Sequence, residues 1–182
     1  VARRLTFVFL LCLGLCLAAA GGAAAAVNQP SSPYSLCPQP GSEAPAAAQD
    51  AAMVCLTNAF RAQYGEAPLG LNAQLAESAV DKTSDILDCD SFSHTACGHK
   101  FSYWIWQTGY VTDPCWKIGE NLAWGAGSYG STDSIFRAWM RSPAHRANIL
   151  GEYTQLGIST AVGSLEGEKA ARVWTAHFGN LC

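Results

Sequence analysis

The order of hydrophobic periods along the chain predicts an α+β fold, helices first and strands last. Three observations carry that expectation. Apolar residues recur at spacings of three and four through the first half, two β-prone segments close the chain, and strands and helices never alternate in βαβ fashion. The 182 residues are 49% hydrophobic and 14% charged, enough apolar material for a core in one domain, which excludes extensive disorder. Eleven basic against fourteen acidic side chains give a net charge of -3, and the basic residues form no stripe. Nucleic-acid binding and anionic membrane binding are excluded on that ground.

The first segment reads as export machinery. Arg3 and Arg4 precede an uncharged apolar run, Leu5 to Leu17, followed by Ala and Gly alone from Ala18 to Ala26. A basic start, an apolar centre and a small-residue cleavage zone make residues 1–26 a secretory signal peptide. The rival reading is an uncleaved anchor, because the charge-free stretch from Leu5 to Val27 is as long as the ~20 residues that span a bilayer. The Ala/Gly-rich half argues for cleavage, and no small residue directly precedes Cys12 or Cys16 as a lipoprotein signal would require. The expected product is secreted, extracellular or at the cell envelope, without stable membrane insertion, and works as a monomer.

Six cysteines remain after cleavage: Cys37, Cys55, Cys89, Cys97, Cys115 and Cys182. An even number in an exported chain favours three disulfides among the fifteen pairings that six cysteines allow. No pair has zinc-knuckle spacing. A local Cys89–Cys97 staple is expected, and Cys182 is expected to tie the C-terminus to the body.

Residues 27–49 are rich in Pro, Ser, Gly and Ala without a hydrophobic period, the composition of a flexible linker, so the folded domain is placed at 50–182. After Asp50, the positions Met53, Leu56, Phe60 and Tyr64 mark an amphipathic helix that stops near Gly65. Asn72 is a plausible N-cap for a second helix carrying Leu75, Ala79 and Ile86, with charges at Glu77, Asp81, Lys82 and Asp85. From Cys89 to Gly130 the chain reads as ordered loop with one short helix around Phe101 to Gln107. Ser131 to Arg141 reads as a helix, and Ser142 before Pro143 as the N-cap of a short one through Leu150. Gln155 to Val162 and Ala170 to Phe178 should pair as an antiparallel hairpin.

The four histidines are His94, His99, His145 and His177. Glu120, between Gly119 and Asn121 and flanked by Ile118 and Leu122, is an acid among apolar neighbours. A carboxylate in that setting needs a partner, a hydrogen bond or a metal ion. No local period brings His94, Glu120 and His145 together.

The chain also carries a set of ordered motifs. Asn58-x-x-Arg61 with Gly65, Pro68-Leu69, Asn72 and Leu75 is followed by Phe92-Ser93-His94, Gly109-Tyr110 and the stretch from Gly119 to Gly125. Then come Trp139 to Leu150, with Ser142-Pro143-Ala144-His145 inside it, and Val173 to Gly179. From about Ala51 to Gly179 the chain resembles the CAP superfamily of cysteine-rich secretory, antigen 5 and pathogenesis-related 1 proteins, in its bacterial SCP-like form. The resemblance implies an α-β-α sandwich with a small antiparallel sheet and a cleft where two histidines and acidic residues converge. Some members bind a divalent metal there, often zinc.

Carried over by motif, His94, Glu120 and His145 form the expected metal set, with Ser142 and Asn121 lining the ligand cleft. A divalent cation such as Zn2+ is the implied cofactor. Where eukaryotic members usually have a second Glu three residues after a Trp, this chain, like many bacterial relatives, has Ser142 after Trp139, so its second acid–base group is missing and efficient hydrolysis is disfavoured. Three readings stand. The first is a cleft that binds divalent metal, a small molecule or a lipid without catalysis. The second is a metal-dependent extracellular hydrolase. In the third, the aromatic group Phe101, Tyr103, Trp104, Trp106, Tyr110, Trp116 and Trp124 binds lipid or glycan. His177 should lie on the strand face opposite Trp174 and Phe178, and neither it nor His99 is expected to be a ligand.

Overall fold

The computed structural model describes residues 32–112 and 114–181. The signal segment assigned to residues 1–26, and Cys182, lie outside the described residues. The helices are α1 (Pro33–Leu36), α2 (Ala46–Gln63), α3 (Ala73–Asp88), α4 (Tyr103–Gln107), α5 (Thr132–Arg141) and α6 (Pro143–Ile149). The strands are β1 (Gly70–Leu71), β2 (Trp116–Ala126), β3 (Gln155–Leu165) and β4 (Glu168–Leu181). They form one sheet in the order β1-β3-β4-β2, antiparallel except for the short β1–β3 pair. Helix α3 covers one face, and α2, α5 and α6 lie against the other. That is the α-β-α sandwich of the α+β class that the sequence predicts.

Both sheet faces are buried, and this decides where the site lies. Trp174 and Phe178 of β4 pack with Met53, Leu56, Phe136 and Trp139 on the face of α2 and α5. On the opposite face, Val173 joins Ile86 and Leu122, while Thr175 and His177 bond to Thr83 and Ser78 of α3. Alternation therefore sends His177 away from Trp174, as expected, but into a second interior. Helix α3 lies so close to β3 at Gly157 that a Cβ there would collide with the backbone of Leu75 and Ala76. Only glycine permits that approach.

Several expectations are corrected. The stretch read as loop between Cys89 and Gly130 contains β2, an eleven-residue strand carrying Glu120. Glycines at 119 and 125 and the polar pair Glu120-Asn121 hid it, because a strand buried on both faces shows no alternation. The linker expected over 27–49 is, from Ser32 onward, part of the domain. Tyr34 packs edge-on against Phe60, Gln49 is fully buried, and Cys37–Cys55 staples α1 to α2. Helix α2 begins at Ala46, before Asp50. Lys82 and Asp85, read among the charges of the second helix, are buried on its core side. The Cys89–Cys97 staple forms as expected, and Cys115 is disulfide-bonded too. Asn72 caps α3, its Oδ1 accepting the Leu75 N–H at 3.0 Å.

Asp50 carries a pH signature. Burial pushes its carboxyl up to about 7, against the lowering pull of Arg172, and its Oδ1 has no hydrogen-bond partner. The folded state then holds the proton that the unfolded state has released, so stability falls as pH rises from about 4 to 7 and is flat above. Asp50→Asn should be more stable than wild type by about 1 kcal/mol at pH 8 and equal to it at pH 3.5, read from urea midpoints. Equal midpoints at both pH values would show that the carboxyl is solvated.

Candidate functional site

β2 ends the sheet, so its outer edge needs partners. They come from α5 and α6. Trp139 Nε1 donates to the Leu122 carbonyl at 3.1 Å, and Asn148 Nδ2 donates to that of Glu120 at 3.1 Å. Asn121, fully buried, donates from Nδ2 to the His145 carbonyl at 3.0 Å and accepts from Asn148 Nδ2 at 2.8 Å. Asn121 is thus the anchor that fixes His145 against β2. Its amide is occupied, a different role from the ligand-cleft wall expected of it. Gly119 belongs to the same joint, since a Cβ would meet Tyr153 Oη at 2.5 Å and Asn148 Oδ1 at 3.0 Å.

Glu120 is the centre of the site. Its side chain is 1% exposed. Oε1 lies 2.5 Å from His94 Nδ1 and Oε2 lies 2.9 Å from His177 Nε2. Burial alone would raise its pKa, but hydrogen bonds from His177 and His94 and the electrostatic pull of His177 and Lys82 outweigh it and bring the net value below the ordinary one. It is an ionised, doubly occupied carboxylate. His94, at 58% side-chain exposure, stands at the rim. Its other nitrogen, Nε2, has no protein partner among the described hydrogen bonds.

His145 is half-buried, 6.4 Å from the Trp139 ring between centroids. Burial first, then the proximity of the His94 ring, lowers its pKa, so it is neutral at physiological pH. The structure thus brings His94 and Glu120 into direct contact and His145 within electrostatic range, without a hydrogen bond from His145 to either. Ser142 takes the N-cap position with Pro143 following, but its hydroxyl makes no cap bond. Among the described hydrogen bonds it makes none to His145 either.

The sequence reading missed three polar contributors. His177, fully buried, faces Glu120 in the β2–β4 register. Ser78 Oγ lies 2.7 Å from His177 Nδ1. Lys82, fully buried, has an Nζ with no hydrogen-bond partner; burial lowers its pKa, opposed by the charges of Glu120 and Asp85. The available signal was the run Ser78, Lys82, Asp85 on the helix face that also carries Leu75, Ala79 and Ile86. A polar stripe there must find partners across the interface. Ser78, His177 and Glu120 line up like a hydrolase triad, yet Ser78 is fully buried beneath the sheet, where no substrate reaches it.

The donor set also bears on a metal. Among the described residues, no group of three or more His, Cys, Asp or Glu side chains is arranged to hold an ion. Both Glu120 oxygens already accept imidazole N–H groups, so Glu120 does not fit as a ligand in this arrangement. What fits is narrower: two imidazoles, with Glu120 behind His94 as the carboxylate that orients a ligating ring. Zinc sites ordinarily draw on three or four protein ligands.

The aromatic group divides. Tyr110 is buried, whereas Phe101, Tyr103, Trp106 and Trp116 remain 37–45% exposed. Trp106 and Trp116 meet edge-to-face at 5.5 Å. His99 stacks on Tyr103 at 4.1 Å and bonds through Nδ1 to Asp85.

Comparison with known proteins agrees with this architecture. Residues 54–178 match the model of the CAP, or cysteine-rich secretory protein, family. The uncharacterized protein YkwD of Bacillus subtilis (strain 168) is 31% identical over 127 residues, covering 69% of this chain and 45% of that protein. The chain therefore spans less than half the length of that relative. A Bacillus anthracis (strain Ames) extracellular protein containing an SCP domain is 25% identical, with a TM-score of 0.57 over 73% of this chain and 40% of that one. An outer surface protein of Borrelia burgdorferi shares the fold at 16% identity, with a TM-score of 0.57 over 71% of this chain and 90% of its own. The family match, over more than half of the chain, shows that this chain belongs to the CAP family of cysteine-rich secretory proteins.

Proposed function

We propose that the protein is an exported CAP-domain binding protein that holds a small polar ligand or a divalent cation between His94 and His145, without turning it over. Export rests on the signal-like N-terminus and on relatives described as extracellular or outer-surface proteins. Among the described residues no helix is long and apolar enough to cross a membrane. The observation that carries the binding role is the buried Glu120 fixing the exposed His94. A fixed rim imidazole offers a lone pair to an incoming cation or hydrogen-bond donor, while the neighbouring neutral His145 adds no repelling charge. Hydrolysis is disfavoured because Ser142 stands where a second carboxylate would be needed, and Glu120 is engaged on both oxygens.

Calorimetric titration of the full chain with Zn2+ alone at pH 7.5 tests the cation arm. Saturable binding in wild type, lost in the His94→Ala/His145→Ala double variant, is the expected result; no heat in wild type removes that arm. Imidazole must be neutral to ligate, and the lowered pKa of His145 keeps it so below the ordinary value of about 6.5. Affinity should therefore weaken as pH falls from 7.5 to 5. Unchanged affinity at pH 5 would point to carboxylate ligands instead.

One observation favours a second reading. Tyr103 and Trp106 border a surface hollow of about 460 Å³ with His99, Lys100, Ser102 and Gln107, large enough for part of a lipid or glycan. If that surface is the binding element, Trp106→Ala weakens association with phosphatidylcholine vesicles or with an oligosaccharide, and the double His variant leaves it unchanged.

A further inference from the structure

We propose that His177 is the positioning residue of the cleft: from inside the sheet it fixes Glu120, and through Glu120 it holds His94 as the Nδ1–H tautomer, with the Nε2 lone pair turned to the ligand. The argument is one of hydrogen counting along a chain of four side chains. An ionised carboxylate only accepts, so each imidazole nitrogen touching Glu120 must carry hydrogen. On His177 that nitrogen is Nε2, 2.9 Å from Oε2; on His94 it is Nδ1, 2.5 Å from Oε1.

As neutral imidazoles the two rings hold opposite tautomers. Neutral His177 is left with an accepting Nδ1, 2.7 Å from Ser78 Oγ, and the Ser78 hydroxyl donates there as readily as to the Leu75 carbonyl at 2.9 Å. Neutral His94 is left with an accepting Nε2 at the rim. The charged and titratable groups around the carboxylate are His94 from the loop after α3, His177 from β4 and Lys82 from α3, with Asp85 beyond Lys82.

Lys82 gives His177 its importance. Its ammonium has no hydrogen-bond partner and attracts Glu120. Without the Nε2–H of His177 to hold Oε2, the carboxylate can turn toward Lys82 and release His94. A freely exposed imidazole then reverts to the commoner Nε2–H tautomer, which turns a donor to the ligand and removes the lone pair.

The use made of this lone pair rests on the binding role proposed above, but its measurement does not. The full chain, labelled with [15N]histidine, is studied at pH 7.5 by long-range proton–nitrogen correlation, with the rings assigned by single His→Gln substitutions. Wild type is expected to show His94 as Nδ1–H and His177 as Nε2–H. In His177→Leu the Nδ1–H share of His94 should fall several-fold, whereas His177→Gln, whose amide N–H can replace Nε2–H, should retain most of it.

If the leucine variant fails to fold by circular dichroism, Ser78→Ala takes its place: the unanchored His177 ring should again lower that share. A His94 tautomer unmoved in His177→Leu, or in Ser78→Ala where that variant stands in, overturns the positioning role. An Nε2–H His94 in wild type overturns the whole chain. The expected tautomers combined with no ligand or cation binding would leave this inference standing and defeat the binding role instead.

Discussion

Replacing Arg61 by Met is expected to cost about 3–5 kcal/mol of stability, the range for stripping a buried charged group from its partners. Arg61 is 2% exposed. Its Nε donates to the Ala67 carbonyl at 2.7 Å, and Nη1 donates to those of Ile149 and Gly151, both at 2.8 Å. A longer bond of 3.4 Å runs from Nη2 to the Tyr153 carbonyl. Burial lowers the guanidinium pKa, with Glu66 opposing, but no ordinary pH removes its charge. These oxygens lie in the turn after α2, at the C-terminal end of α6 and in the turn into β3, so one planar side chain ties three segments together. Lysine lacks the fork to do this, and Arg61→Lys should recover less than half the loss. The readout is the urea midpoint at constant slope. A loss below about 1 kcal/mol would mean that water satisfies the vacated carbonyls.

Glu120→Ala should cost a similar 3–5 kcal/mol, because it leaves the His177 N–H and the Lys82 ammonium buried without their carboxylate. Glu120→Gln keeps the shape and one accepting oxygen, and should cost about half as much. The pH dependence follows from the lowered folded pKa. A carboxyl lowered from 4.5 contributes stability that is fully present above that value and is lost as pH falls through the folded pKa. The stability gap between wild type and Glu120→Gln should hold from pH 7 to 5 and narrow below about 4.5. Subtraction cancels the opposite trend of Asp50, common to both proteins. A gap that does not change with pH would mean that the Glu120 carboxyl titrates alike in the folded and unfolded chain.

The helices were legible because each states its own limits. Asn72 caps α3, Pro143 opens α6, and the period of Met53, Leu56 and Phe60 sets the buried face of α2. The β3–β4 hairpin was legible for the same local reason. β2 was not, since its neighbours on both sides are supplied by distant segments and its glycines serve packing against Tyr153 and Tyr129, not a turn. His94, Glu120 and His145 came from a motif resemblance, not from any period, and the structure brings His94 and Glu120 into contact.

What the chain alone determined was its class, its cysteine staple at 89–97, the extents of most helices, and a signal-like start. These depend on interactions between residues near in sequence, whose free energies are set by composition and spacing. Only the tertiary structure decided that the carboxylate of Glu120 is shared by two imidazoles, one at the rim and one in the interior, with Ser78 and Lys82 behind them. Glu120 and His177 are 57 positions apart. Nothing local distinguishes a histidine in an apolar strand that meets water from one that meets a buried acid. Strand register makes that distinction, and register is settled by the burial of whole faces.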